Sequence, residues 1–192
     1  MPLFNSKNTS SASAVLILLP LIIIAFKAQS CTSFSAASKP SVTVPTPAQR
    51  EEVVRQYFDG VNQKNRDQIA NCFAETATIR DVCSLNDSSE RTVDPSDLAD
   101  RCMEFLAAHP DCVVKFHYGP QCGRDDSCWV IAHWYETGHW TGDSRGIKAT
   151  GNPMEVEGQT RFFVNDDLKI TNFVVTRTFT EWEETLEKTN SK

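Results

Sequence analysis

The chain has 192 residues, of which 40% are hydrophobic and 23% charged, and a formal net charge of -6 at pH 7. That length suits one domain with appendages, and the balance is ordinary for a globular protein. Lys and Arg are scattered rather than clustered, which argues against nucleic acid as a partner, because phosphate binding needs a basic footprint.

The start of the chain differs from the rest, with no Asp or Glu before Glu51. Within it, "AVLILLPLIIIAF" (Ala14 to Phe26) follows Lys7 and is broken by Pro20. The run falls short of the roughly twenty apolar residues that a membrane-crossing helix needs. It suits a signal-peptide core, with "AQS" (Ala28, Gln29, Ser30) as a small-x-small cleavage site. Residues 1–33 therefore read as a signal peptide leading into the secretory pathway, with an uncleaved anchor as the alternative. Residues 34–49 form an acid-free segment rich in Ser, Ala and Pro. "TSFSAA", with Phe34 after the signal, resembles the two-part plastid presequence of algae with secondary plastids. That resemblance implies a plastid destination; secretion with a linker is the other reading.

The 7 cysteines (Cys31, Cys72, Cys83, Cys102, Cys112, Cys122 and Cys128) form no CxxC pair, so neither a zinc ribbon nor a thioredoxin motif is indicated. Cys122 and Cys128 flank "GRDDS" and would close a loop in an oxidising compartment but stay thiols in a reducing one. Asn86-Asp87-Ser88 is a glycosylation sequon if the chain reaches the secretory lumen.

From Arg50 the pattern becomes periodic. Val54, Tyr57, Phe58 and Val61 have the spacing of an amphipathic helix. "RDQIANCF" predicts a second, short helix burying Ile69, Cys72 and Phe73, and "ATIRDV" alternates as a strand. "DPSDLADRCMEFLAAHP" predicts a third helix with Ser96 as N-cap and Leu98, Cys102, Phe105 and Leu106 on one face; His109-Pro110 ends it. Four strands follow: "DCVVKFHYG", "CWVIAHWYETGHW", "MEVEGQTRFFV" and "LKITNFVVTRTF". Helices followed by antiparallel strands predict an α+β domain over residues 50–180, with residues 181–192 as a tail compatible with a terminal turn of helix.

"YFDGVNQKNRDQIANCFAETATIRD" resembles the helix-helix-strand opening of the SnoaL-like, polyketide-cyclase-like branch of the nuclear-transport-factor-like superfamily. "VIAHWYETGHWTG", "TGNPMEVEGQTRFFV" and "KITNF" are similar to its later strands, including a Thr-Gly-x-Pro turn at Thr150 to Pro153. The resemblance implies a cystatin-like cone: a strongly bent antiparallel sheet, three helices lidding its concave face, and an apolar pocket between. Family members include cyclases, isomerases and dehydratases, so the fold alone leaves function open.

The family register turns Trp134 inward. Residues two apart on a strand share a face, which puts Asp81, Val114, Phe116, Tyr118, Glu136, Thr160, Phe162, Asn172, Val174 and Thr176 in the pocket, closed by Tyr57 and Phe73. Asp81 and Glu136 are the candidate catalytic groups, because burial raises a carboxyl pKa and suits it to proton transfer. The other residues are candidate ligand contacts. The convex face receives Trp129, Ile131, His133, Tyr135, Phe173 and Val175, an apolar surface expected to pair two copies of the chain. His133 and His139 share that face but lie about 20 Å apart along a strand, too far to chelate one ion; neither metal nor cofactor is expected. Arg161 and Arg177 are expected outside as solvated charges. Thr178 stands where the family's last strand usually has an acid, and Trp140 where the cyclases have a histidine, so a mechanism built on that pair is not expected. The reading is a protein binding a small apolar or polycyclic molecule; the alternative is a cofactor-free isomerase, cyclase or dehydratase.

Overall fold

The first helix, α1 (Pro47–Gln63), starts ahead of Arg50 because Thr46 closes a capping box: its hydroxyl accepts from the Gln49 amide while the Gln49 side chain accepts from the Thr46 amide. The computed structural model describes residues 44–84, 88–123 and 128–190. The chain divides into Met1–Ser41 and Val42–Lys192, and every described residue belongs to the second unit. The expected signal, residues 34–43 of the 34–49 segment, and Asn86 and Asp87 of the sequon lie outside the described residues.

A short helix, α2 (Arg66–Asn71), packs Ile69 against Gly60 of α1, and α3 (Pro95–Ala108) is capped by Asp94, not by Ser96. The Asp94 carboxylate accepts from the Ser96 amide at 2.7 Å, with Pro95 in the first turn where no donor is needed. Six strands form one curled sheet in the order β2-β1-β6-β5-β4-β3. They are β1 (Phe73–Asp81), β2 (Arg91–Val93), β3 (Val113–Cys122), β4 (Trp129–His139), β5 (Pro153–Val164) and β6 (Ile170–Arg177). The pair β1–β6 is parallel and the others antiparallel. A fourth helix, α4 (Glu181–Asn190), follows where the expectation was a tail with no more than a terminal turn of helix. Among the described residues no helix is long and apolar enough to cross a membrane.

The core lies between α1, α3 and the concave face. Val54, Ile69, Ala132, Val156, Phe162 and Ile170 are fully enclosed there. Arg50 ties α1 to the β5–β6 turn: its guanidinium donates to the carbonyls of Val164 and Asn165 and pairs with Asp166. A second, smaller cluster joins Ala108, Trp140 and Trp182, with Phe105 and Leu186 against it.

Bulges decide which side chains face inward. On β6 the pairing with β5 shifts between Phe163/Asn172 and Val164/Ile170, leaving Thr171 as an extra residue. Each bulge residue reverses the alternation beyond it. Phe173 and Val175, expected outside, therefore lie in the core, and Asn172, Val174 and Thr176, expected inside, turn outward. Val174 is buried but stands apart from the core cluster; Thr176 is exposed opposite Gln159. On β3 the register shifts between Phe116 and Tyr118, so Tyr118 is 68% exposed and stacked on His133 instead of lining the concave face.

Candidate functional site

Tyr57, Phe73, Phe116, Trp134 and Phe162 meet on the concave side, but as a packed floor. Tyr57 touches Phe73 and Phe162 with ring centroids 5.7 Å away in each case, Phe58 meets Phe116 at 4.9 Å, and Phe162 meets Phe173 at 5.0 Å. Edge-to-face contacts at such distances are favourable pairings of aromatic rings. Trp134 donates its indole N–H to the Thr160 hydroxyl at 2.8 Å and lies over Gly158, directly across the β4–β5 ladder. Thr160 is thereby satisfied within the core and is no free ligand contact. Val114, 5% exposed, completes the floor opposite Glu136. The expected deep pocket is filled by these side chains.

Polar chemistry gathers where β1, β4 and β6 approach their ends. Asp81 ends β1, Arg177 ends β6, and Glu136 sits two residues beyond Trp134 on β4. Because of the β6 bulge, Arg177 points inward and not into solvent as expected. Its Nε donates to Asp81 Oδ2 at 3.2 Å, and its two terminal nitrogens donate to Glu183 Oε2 at 3.0 Å and Oε1 at 2.6 Å. The paired donation to Glu183 matches the fork geometry of the guanidinium. Glu183 is itself fixed at the start of α4: Thr180 Oγ1 accepts from the Glu183 amide at 3.2 Å, and Glu183 Oε2 accepts from the Thr180 amide at 3.0 Å. Burial works against the Arg177 charge, but Glu183, Asp81 and Glu136 outweigh it and hold the guanidinium protonated.

Three carboxyls thus share one cation, and Glu136 gives way. Burial pushes its carboxyl up to about 7; Arg177 opposes the rise and Glu183 adds to it. Nearby, burial raises the Tyr57 phenol well above its usual value and the Cys102 thiol to about 11. Cys72 is held at about 11 for the same reason. Neither thiol is a nucleophile near neutral pH. Cys122 and Cys128 are free.

α4 closes this end of the sheet. Trp182 packs edge-on to Phe105 and His109, and Trp140 is buried beside them with its N–H on the Gly142 carbonyl at 3.2 Å. A cavity of about 140 Å³ lies under the start of α4, between His109, Trp140 and Thr180. His109 Nδ1 donates to the Phe105 carbonyl at 2.9 Å, and its buried Nε2 has no hydrogen-bond partner. A larger cavity of about 530 Å³ lies elsewhere, between α1, α2 and the β5–β6 turn around Gln56, Asn71 and Lys169. Arg177 and Glu183 are the site residues that sequence reasoning missed. Two signals could have found them: the Thr-x-x-Glu capping pattern at Thr180, and two acids, Asp81 and Glu136, placed inside without a cation.

The sequence pattern of the SnoaL-like domain matches residues 54–173. No curated protein matches the chain in sequence. Many solved structures share the fold, these three among them. AclR of Streptomyces galilaeus, assigned as a hydroxylase, superposes with a TM-score of 0.59 at 15% identity over 74% of this chain and 83% of its own. A protein of Jannaschia sp. CCS1, assigned as a SnoaL-like polyketide cyclase, gives 0.56 at 16% identity over 75% and 93%. A cystatin-like protein of unknown function from Methylobium petroleophilum PM1 gives 0.56 at 12% identity over 72% and 82%.

Proposed function

The chain belongs to the SnoaL-like domain family, and from that premise we propose that it binds a small, largely apolar molecule of polycyclic or polyketide-like kind beneath α4. The observation that carries this reading is the enclosed group of Glu136, Asp81 and Arg177 at the rim of an aromatic floor. Such a site offers rings to an apolar body and a cationic donor to a carbonyl or hydroxyl. Glu183 occupies that donor in the closed form, so entry of a ligand requires α4 to move and release Arg177. The relative assigned as a polyketide cyclase points to the same ligand class.

Native mass spectrometry of the protein isolated from its source tests this reading. A retained small molecule, or saturable binding of an aromatic polyketide that Glu183→Gln tightens, is the expected result. A bare polypeptide that binds no such compound sinks it. A second reading, proton transfer on the bound molecule, is favoured by Glu136, whose carboxyl near 7 suits both acceptance and release of a proton at neutral pH. Glu136→Gln separates the two: it leaves a binder's affinity nearly intact and removes an enzyme's turnover.

A further inference from the structure

We propose that His117, His133 and Glu157 form a zinc site on the outer face of the sheet, with the fourth coordination position open to water. The three residues stand on three neighbouring strands. His117 on β3 and Glu157 on β5 are separated by β4, a gap of about 10 Å between backbones, and both side chains lean over β4 to meet where His133 stands. His117 Nε2 lies 2.9 Å from Glu157 Oε1, and His133 Nε2 lies 3.6 Å from the same oxygen. All three donor atoms fall within 4.8 Å of one another. Zinc bonds of roughly 2.0–2.1 Å in tetrahedral geometry set donor atoms about 3.3 Å apart. The two separations from Glu157 straddle that value, and the two histidine nitrogens lie within 4.8 Å, so closure on an ion needs rotation of the partly exposed rings toward each other.

Two features build this arrangement. The β3 bulge sets both His117 and Tyr118 against His133, where regular pairing would set one residue against one. Bulges re-aim side chains in this way beside functional sites. The rings are also held in place: His117 packs on Tyr135 with centroids 4.6 Å apart and on His133 at 4.8 Å, and Tyr118 stacks on the far side of His133 at 5.9 Å. Both imidazoles present the same nitrogen to one carboxylate oxygen. Two imidazoles and one carboxylate are a donor set that zinc accepts with a position to spare. His139, too far along β4 to chelate with His133, has no part in it and is bound to Asp111 at 2.7 Å.

The test is cobalt titration of the full chain after metal removal, read by the visible absorption of tetrahedral cobalt and by its displacement with zinc. One ion per chain with a dissociation constant below roughly 100 µM is expected, and His117→Ala, His133→Ala and Glu157→Gln should each weaken it at least tenfold. His139→Ala should leave binding unchanged. Should a variant fail to fold, zinc-induced shifts of the His117 and His133 Nε2 resonances in the unaltered protein decide the matter. An ordinary surface ion pair gives no cobalt spectrum and no shifts, and that result overturns the site. Binding that survives loss of either histidine, or that shows sulfur-to-cobalt charge transfer, overturns it equally.

Discussion

At Glu136 a carboxyl pushed up to about 7 has a consequence for stability that can be measured. The unfolded chain ionises this group near 4.3 while the folded chain keeps its proton. The favourable contribution is therefore fully present below about pH 4.3 and is lost as pH rises through 7. The rise from about 4.3 to about 7 corresponds to roughly 3–4 kcal/mol as an upper figure. Glu136→Gln should leave urea stability unchanged near pH 4.5 and raise it by about 1–3 kcal/mol at pH 8. Equal effects at both pH values would contradict the burial of this carboxyl. Gly158 makes a steric prediction. A Cβ there would stand 2.4 Å from Trp134 Cζ2 and 2.7 Å from Cη2, inside the ring that covers it. Gly158→Ala should cost about 1–3 kcal/mol by overpacking and shift the Trp134 fluorescence. Alternation on β4 put Trp134 and Glu136 on one face, and the family resemblance turned that face inward. The inward position of Arg177 was not legible, because unbroken alternation through Asn172, Val174 and Thr176 sets it outward, and only the extra residue at Thr171 reverses that.

At the level of elements, periodicity located α1, α2, α3 and five of the six strands, β1 and β3 to β6. It missed β2, three residues long, and reduced α4 to a terminal turn, because the apolar face of that helix has little beyond Trp182 and Leu186. It also missed the bulges, which add one residue without a compositional mark, and for that reason the inward set of β6 was reversed while that of β5 was not. α4 is the element whose role is easiest to isolate. Trp182 is 5% exposed and anchors it to Phe105 and His109. Trp182→Ala should remove about 3 kcal/mol from the docking of α4. Hydrogen exchange should then show the α4 amides opening well before those of the sheet. Simultaneous loss of protection throughout would mean that α4 is integral to the fold and cannot act as a door.

For the whole molecule, the outer sheet face carries the proposal of a two-fold pair. It has lost Phe173 and Val175 to the core and gained Tyr118 beside Trp129, Ile131, His133 and Tyr135. Ile131 is 38% exposed and Tyr118 68%. Burying such side chains against a second copy is worth roughly 1.5–3 kcal/mol each. Sedimentation in a chelator at micromolar concentration should give a dimer that Ile131→Asp converts to a monomer; a monomer in the unaltered protein ends the proposal.

β6 is the last strand in the sequence, yet it sits between β1 and β5 inside the sheet. A chain growing on the ribosome therefore has every other strand in hand before the one that joins β2-β1 to β5-β4-β3. Until the segment through Arg177 arrives, β1 and β5 present open edges able to pair with any neighbouring chain. The joining step brings Phe73 beside Ile170, a contact between distant parts of the sequence, and non-local pairing of this kind forms slowly. Assembly of this domain is thus a late, all-at-once event, and the interval before it is when the polypeptide most needs a chaperone to keep its edges apart.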